Sequence, residues 1–263
     1  MNMANNKFLY KYYPPVDYVI TALKDETICF TDICSQNDPF EGMGFYRVIP
    51  NKGSQEAIAS NQQQELLAKY ITEEERGNLQ KWYRIFCATT EWKRPLMWAH
   101  YAKAHQGVCI GYTLHDIKLH CTKLRQVRYN DMPLEKDFSY LDSTKFLFFK
   151  AKDWAYEKEY RGIYKLQSED YFRVPKLEEY KSSSHLLRYT DDDMYFYVPG
   201  FKIQAKRRIL KKCRPQEITM GLYTSKEYEE VLQAVSITKR IPLYKAKMKD
   251  HSFEIDRTPI YIP

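Results

Sequence analysis

The sequence predicts an α+β fold: a single domain over residues 1–263, with a mixed or antiparallel sheet of short strands flanked by helices. Helical and strand-like patterns alternate along the chain, so both kinds of element contribute to the fold. The strand-like segments are short and lack the continuous apolar runs of a buried parallel sheet. No repeat and no linker-like segment divides the chain.

The composition is that of a folded chain. Apolar residues make up 44% and charged residues 29% of the sequence, which is typical of globular proteins and not of disordered ones. Aromatic residues reach 15%, with 23 Tyr, and these side chains favour strands and half-buried surfaces. There are only 9 Gly, and neither a GxGxxG nor a GxxxxGKS/T phosphate-binding pattern occurs.

The first half of the chain alternates between strands and helices. The predicted elements are strand 8–13, helix 17–24, strand 27–32, loop 35–42 and two helices within 55–82. Pro14 and Pro15 end the first strand because proline cannot donate to a sheet ladder. In the loop, NDP favours a turn, and TEEE at 72–75 is a capping box that begins the second of the two helices.

The second half continues the alternation. The predicted elements are strand 85–89, helix 96–105, strands 108–112 and 123–129, helix 146–154, strands 159–166, 201–205 and 218–223, a helix beginning at 224–227, and one or two strands from 241 onward. Pro95 suits the start of a helix and Gly107 its end. TSKE at 224–227 is a second capping box. Residues 167–200 are polar and Tyr-rich, and we interpret them as an insertion or a mobile excursion.

Charged residues alternate in an unusual way at the start of the strand 159–166. Glu159 and Arg161 share one face of that strand with Ile163, and Glu157 precedes it by two residues. Arg161 can bind a carboxylate through a bidentate fork, and a carboxylate held in this way stays ionised. Such a group stabilises a developing positive charge, so Glu157, Glu159 and Arg161 are candidate catalytic residues. The alternative is a salt-bridged scaffold.

Two further constellations have both a structural and a functional interpretation. Trp98, Tyr101 and His105 lie at i, i+3 and i+7 of a predicted helix, where they form either core or the aromatic wall of a site. In NDPFE, Asp38 and Glu41 offer oxygen ligands for a divalent cation. A turn explains this loop equally well, and we expect no metal.

The net charge of +7 favours acidic partners such as nucleic acid. The densest basic run, KRRILKKCR at 206–214, is either a phosphate-binding strip or a solvated segment. None of the 6 Cys forms a CxxC pair, which indicates free thiols in a reducing cytoplasm. We find no signal peptide and no apolar stretch of about 20 residues, so we expect a cytoplasmic protein without a membrane span.

Several motifs resemble a known family. FLYKYYPP, ICFTDICSQNDPFEG, FCATTEWKRPLMWAHYAKAHQGVCIGY, WAYEKEYRGI and RPQEITMGLYTS occur in this order, between about residues 8 and 255. Together they resemble the bacterial domain-of-unknown-function family 2971. More distantly, the opening strand–helix–strand and the later helix–strand pair are similar to ADP-ribosyltransferase-type domains.

The distant resemblance implies a site and a reaction. It implies an ADP-ribosyltransferase-like fold and NAD as substrate, with Glu157 or Glu159 acting on the ribose and Arg161 holding its partner carboxylate. The resemblance implies Tyr10 or Lys11 on the first strand and Trp98 and Tyr101 in the middle element. With Asn37 and His105, these are the predicted cofactor-binding residues. The enzyme would be of the toxin or phage-defence type, acting on nucleic acid or protein.

Two other functions stay open from the sequence. One is a non-catalytic binding or regulatory module that uses the face of Trp98, Tyr101 and His105 together with the strip 206–214. The other is a metal-dependent nuclease, whose carboxylates would be Asp38, Glu41, Glu157 and Glu159.

Overall fold

A ten-stranded, mostly antiparallel sheet forms the centre of the fold, and helices accompany it, which confirms the predicted α+β class. The computed structural model describes residues 7–42, 45–46, 73–74, 76–131, 135–136, 143–174, 189–190, 193–198 and 201–263. Of the two helices predicted within 55–82, residues 73–74 and 76–82 are helical, and the rest lie outside the described residues.

The strands and helices have the following bounds. The strands are β1 Phe8–Tyr13, β2 Thr27–Thr31, β3 Phe45–Tyr46, β4 Tyr83–Thr89, β5 Val108–Thr113, β6 Lys123–Gln126, β7 Arg128–Asn130, β8 Glu135–Lys136, β9 Phe149–Ala151, β10 Glu159–Lys165, β11 Tyr171–Val174, β12 Tyr189–Thr190, β13 Asp193–Val198, β14 Phe201–Lys206, β15 Arg208–Lys212, β16 Glu217–Met220, β17 Leu243–Met248 and β18 Ile255–Tyr261. The labelled helices are α1 Asp17–Asp25, α2 Pro95–Tyr101, α3 Leu114–Leu119 and α4 Lys226–Lys239, and 3-10 turns occupy Ile33–Ser35, Ser143–Phe148, Lys152–Glu157 and Ser168–Asp170.

The large sheet branches at β4. Its strand order is β15-β2-β4-β1-β5-β16-β17-β18, and β10 pairs with β4 along its whole length and carries β6 on its other edge. On the opposite edge of β4, β1 is in register only at Tyr10 opposite Thr89, and β2 only at Thr31 opposite Ile85. The ladder is therefore interrupted between these two points, and the sheet opens there.

Apolar faces of the sheet and the helices form the core. The largest buried cluster includes Leu9 on β1, Phe30 on β2, Phe86 on β4 and Tyr112 on β5. Helix α1 contributes its residues at positions 19, 20 and 23, all buried. Burying a large apolar side chain stabilises a fold by about 1.5–3 kcal/mol, so this cluster holds the strands of the branch together.

Helix α2 ends earlier than predicted. It stops at Tyr101 and not at 105, because Lys103, Ala104 and His105 adopt left-handed φ angles of 46°, 51° and 67°. Gly107 then lies so close to β1 that a Cβ there would be 2.0 Å from the carbonyl oxygen of Tyr13. Residue 105 therefore does not share the helical face of Trp98.

In several other regions, the elements differ from those predicted or add detail to them. The predicted helix 146–154 is wrong, because a 3-10 turn, strand β9 and a second 3-10 turn occupy this region. The predicted strand 123–129 is two strands, β6 and β7. Within 167–200, strands β11, β12 and β13 join β14 in a small four-stranded sheet. The basic run 206–214 contains β15, an edge strand of the large sheet.

All six cysteines are free, as predicted. Cys109 and Cys213 are buried, whereas Cys34 is exposed. Within the described part of the chain, no helix is both long enough and apolar enough to cross a membrane.

Candidate functional site

A small pocket opens where β1 diverges from β4. Thr89 of β4 has Tyr10 of β1 as its partner on one side and Glu159 of β10 on the other. Since neighbouring strands lie about 4.8 Å apart, Tyr10 and Glu159 line the pocket from the two strands on either side of β4. Its volume is about 120 Å³, and its lining residues are Tyr10, Lys11, Tyr12, Gln36, Asn37, Cys87, Ala88, Met97, Tyr101, Lys150, Glu157 and Glu159.

Lys11 bridges the gap between the diverging strands. Its ammonium donates to the carbonyl oxygen of Cys87 at 2.9 Å and lies 4.8 Å from the centre of the Phe86 ring. The lysine side chain thus satisfies a β4 carbonyl where no backbone ladder reaches it. Lys11 also lines the pocket.

Buried charges form the floor of the site. Arg161 has no exposed surface, and its guanidinium forks Glu159 through Nε to Oε1 at 2.7 Å and Nη2 to Oε2 at 2.9 Å. The same guanidinium forks Glu41, donating from Nη1 to Oε1 and from Nη2 to Oε2, the latter at 3.0 Å. Nη1 also donates to the carbonyl oxygen of Leu147 at 2.5 Å. Arg161 is therefore fully occupied by the protein and does not line the pocket.

Lys150 completes this cluster from β9. Its Nζ lies 2.7 Å from Glu157 Oε2, 3.2 Å from Glu159 Oε2 and 3.9 Å from Glu41 Oε2. Three carboxylates and two cations leave one negative charge when all are ionised. Burial lowers the pKa of Lys150, but the three carboxylates outweigh this and raise it above its ordinary value.

Glu159 and Glu157 differ in their electrostatic surroundings. Burial alone would raise the pKa of Glu159, yet the charges of Arg161 and Lys150 prevail and hold it well below its usual range. For Glu157, burial raises the pKa, and the charge of Lys150 offsets this only in part. Burial also raises the pKa of Glu41, which does not line the pocket, so Glu157 is the pocket carboxyl that can take up a proton.

Both oxygens of the Glu157 carboxylate are held in place. The hydroxyl of Tyr101 donates to Oε1, while Lys150 binds Oε2. Asn37 in turn donates through Nδ2 to the Tyr101 hydroxyl at 2.8 Å. Burial and the neighbouring Glu157 charge raise the pKa of Tyr101, which keeps its hydroxyl a donor. The Asn37–Tyr101–Glu157 chain thus fixes the carboxylate toward the pocket.

The structure brings together most of the predicted site residues. Those that line the pocket are Tyr10, Lys11, Asn37, Tyr101, Glu157 and Glu159. Arg161 lies behind them, as a buried partner of Glu159.

Trp98 and His105 lie outside the pocket. Trp98 is fully buried, donates its indole N–H to the carbonyl oxygen of Trp92 at 2.8 Å, and meets the ring of Tyr12 edge-on at 5.1 Å. The imidazole of His105 stacks on Trp98, with ring centres 6.2 Å apart. Because the helix ends before residue 105, the predicted common face of these residues does not form.

Lys150 was not predicted as a site residue, and Glu41 was considered only as a metal ligand. Lys150 belongs to the same KAKDWAYEKEYRG run as Glu157 and Glu159, yet nothing in its local pattern distinguishes it from a surface lysine. Glu41 is 120 residues from Arg161, so only the tertiary fold pairs them. Gln36, Tyr12, Cys87 and Met97 line the pocket through the same long-range packing.

The chain is similar to one family over part of its length. Residues 97–162 match the family model described as Protein of unknown function (DUF2971). The match extends from helix α2 to β10, and it includes Tyr101, Lys150, Glu157, Glu159 and Arg161. It confirms the family resemblance over this segment, whereas the more distant likeness to ADP-ribosyltransferases stays a prediction. Searches of curated proteins and of solved structures found no match.

The carboxylates of the nuclease hypothesis are bound by partners within the protein. Asp38 accepts from the backbone N–H of Phe40 at 2.9 Å, as the turn interpretation requires. Glu41 and Glu159 do meet, but the guanidinium of Arg161 occupies both. Among the described residues, no group of three His, Cys, Asp or Glu side chains is arranged to hold a metal ion.

The two surfaces of the binding-module hypothesis are partly committed to the fold. Trp98 is buried, so it contributes no free surface. In the strip 206–214, Lys211 donates to the hydroxyl of Tyr164 at 3.1 Å and Lys212 to the carbonyl oxygen of Asp25 at 2.7 Å. These cations hold the edge strand β15 against its neighbours.

Proposed function

We propose that the protein is an NAD-dependent ADP-ribosyltransferase-like enzyme in which Glu157 is the catalytic carboxylate. The observation that carries this proposal is the position of the Glu157 carboxylate. This carboxylate lies on the wall of a pocket with aromatic side chains, and both of its oxygens are held by protein donors. Cleavage of the bond between nicotinamide and ribose builds positive charge on the ribose, and a preorganised carboxylate stabilises that charge.

In the proposed reaction, nicotinamide is the leaving group and Glu157 accepts the proton. The bond between ribose C1′ and the pyridinium nitrogen breaks, and its electron pair neutralises the charge of the nicotinamide ring. A hydroxyl or amino group of the acceptor forms the new bond to C1′. The proton it loses passes to Glu157, whose raised pKa makes it a better base than an ordinary glutamate.

Other pocket residues take supporting roles in this proposal. The ring of Tyr10 or Tyr12 packs against the nicotinamide, and the ammonium of Lys11 faces a ribose hydroxyl or a phosphate. Arg161 and Lys150 act as positioning residues, because they keep Glu159 ionised and Glu157 oriented. A volume of about 120 Å³ lies below the roughly 300–1,000 Å³ of drug-sized sites, so the remainder of the dinucleotide would extend beyond the mouth.

The biological setting belongs to the same proposal. An enzyme that consumes NAD, or that modifies nucleic acid or protein, suits a toxin or phage-defence role. In the alternative, the charge cluster is only a scaffold, and the wild-type protein then releases no nicotinamide from NAD.

The experiment is incubation of the purified protein with labelled NAD and cell lysate. Wild type is compared with Glu157→Gln and with Glu230→Gln, which replaces an exposed glutamate of α4. We expect label transfer or nicotinamide release from wild type and Glu230→Gln. In Glu157→Gln we expect a loss of about 100-fold or more with the melting temperature nearly unchanged. No release from well-folded wild type would refute the enzyme and favour the scaffold.

Glu159→Gln separates the two carboxylates. Glu159 is fully engaged with Arg161 and Lys150, so removing its charge leaves the buried guanidinium partly uncompensated. This variant should therefore melt at a lower temperature than Glu157→Gln. Equal activity loss with equal stability in both variants would contradict the assignment of Glu157 as the acting group.

A further inference from the structure

A cluster of partly or fully exposed rings lies beside the pocket. It consists of His100, Trp154 and Tyr156, which we term the aromatic rim. The Tyr156 hydroxyl lies 3.3 Å from His100 Nδ1, and the two rings meet at 5.7 Å and 65°. Trp154 and Tyr156 have ring centres 6.2 Å apart at 36°. Helix α2 and the 3-10 turn Lys152–Glu157 thus contact each other through their aromatic side chains.

The aromatic rim is continuous with the proposed catalytic residues. His100 directly precedes Tyr101, and Tyr156 directly precedes Glu157, so two of the three rim residues neighbour a pocket residue in the chain. The ring of Trp154 lies 5.1 Å from the Nζ atom of Lys150, which lines the pocket. A ligand bound on the rim would therefore lie next to the Glu157 carboxylate.

Two exposed lysines lie within three residues of a rim residue in the chain. Lys152 begins the 3-10 turn, and Lys103 follows the end of α2. Lys152 forms a 3.1 Å ion pair with Asp131, and the two side chains are 67% and 72% exposed, respectively. An exposed pair of this kind contributes about 0–1 kcal/mol, so an incoming phosphate can replace the aspartate at little cost.

We propose that the aromatic rim stacks an unpaired base of a single-stranded nucleic acid, which serves as the acceptor of the transferase reaction. Flat aromatic faces next to cations are the common means of holding single strands, since every base has a face to stack. A base inside a duplex is covered by its neighbours and cannot reach a recessed carboxylate. Exposed lysines are complementary to the phosphates that accompany such a base.

The acceptor role rests on the proposed function. The exocyclic amino nitrogen of the stacked base would form the bond to ribose C1′ as the bond to nicotinamide breaks. The amino proton would pass to Glu157. The stacking site itself can be tested without NAD.

The experiment is fluorescence anisotropy with a labelled single-stranded oligonucleotide of mixed sequence and no dinucleotide present. Tyr156→Ala and His100→Ala are compared with wild type and with Phe253→Ala, which removes a fully exposed ring far along the chain. We expect the rim variants to bind about fivefold to a hundredfold more weakly, and the control to bind as wild type. His100 is exposed, so its variant keeps the test valid if Tyr156→Ala is unstable.

Salt dependence tests the lysines. The double variant of Lys103→Gln and Lys152→Gln should reduce the slope of log affinity against log salt by about 1.4, since each of the two contacted phosphates of a single strand contributes about 0.7. The matched double variant of Lys226→Gln and Lys247→Gln, both exposed elsewhere on the surface, should leave the slope unchanged. An unchanged slope in the first variant would contradict lysine contacts at the rim.

Three results would overturn the proposal. They are equal binding by an abasic strand, unchanged binding by both rim variants, and full competition by adenosine monophosphate at concentrations similar to those of the oligonucleotide. The last would assign the rim to a free nucleotide. A protein that binds the strand through the rim but never releases nicotinamide would refute the transferase while retaining the stacking site, so the two failures are distinguishable.

Discussion

Replacing Arg161 by methionine tests the charge cluster most directly. The guanidinium has no exposed surface and forks two buried carboxylates, Glu41 and Glu159. Methionine preserves much of the apolar stem but leaves both carboxylates with Lys150 as their remaining cation, at 3.9 and 3.2 Å. Removing one partner of a buried ion pair costs about 3–5 kcal/mol, because the other charge is left uncompensated.

The expected loss is a large part of the total stability. Domains of ordinary size have a free energy of unfolding of about 5–15 kcal/mol. The variant should therefore still fold at low temperature, but it should unfold at a much lower urea concentration than the wild type. We expect a loss of about 3–5 kcal/mol at pH 7, measured by urea titration with circular dichroism. Arg257→Met is the matched control: Arg257 also forks a glutamate, Glu217, at 2.7 and 3.0 Å, but that pair is partly exposed and should cost less.

The stability difference between the wild type and Arg161→Met should depend on pH. In the wild type, the folded-state pKa of Glu159 lies below its unfolded value, so its ionisation stabilises the fold above about pH 4.3 and this contribution is lost as pH falls through the folded pKa. In Arg161→Met, Glu159 stays buried but loses the cation that lowers its pKa most, so we expect this pKa to be higher than in the wild type. Protonation of Glu159 should then reduce the cost of the substitution as pH falls. The difference between the two proteins should shrink from pH 7 to pH 5. A loss below about 1 kcal/mol at pH 7, or one that grows toward pH 5, would refute this reasoning.

Three further predictions concern the frame around the site. Gly107→Ala should lower the unfolding free energy by several kcal/mol in the same urea assay, because its Cβ would lie 2.0 Å from a β1 carbonyl oxygen, whereas Gly77→Ala, with nothing within 4 Å, should not. Iodoacetamide at pH 8 should label Cys34 within minutes and Cys87 hardly at all, as mass spectrometry of peptides would show, because burial raises the pKa of Cys87 to about 12 and Cys34 is exposed. Fast labelling of Cys87 would mean that the pocket opens more widely than the structure shows. Ser225→Ala should lose about 0.5–2 kcal/mol, because the Ser225 hydroxyl accepts from the N–H of Tyr228 at the start of α4, and Ser225→Asp should retain most of it.

Local sequence patterns predicted most of the elements that build the site. The strand before Pro14 spans residues 8–13 as expected, and β4, β5 and β10 lie within one or two residues of their predicted bounds. Each of these strands has a local signal: a proline stop for β1, an apolar run in β4 and β5, and the alternation of side chains along β10. The region 143–157 had no such signal, because its short strand and two 3-10 turns are stabilised by packing and not by a helical or strand period.

The sequence by itself determined which residues share a face. The two-residue period of a strand puts Glu159 and Arg161 on one side of β10, where their ion pair forms. What surrounds that face was decided by the tertiary structure. Glu41 comes from a distant loop and Lys150 from β9, and the end of α2 determines that Tyr101 reaches Glu157 while Trp98 turns into the core. Local spacing sets the direction of a side chain, but a buried charge is stable only where distant elements bring its partners, and those pairings depend on the whole fold.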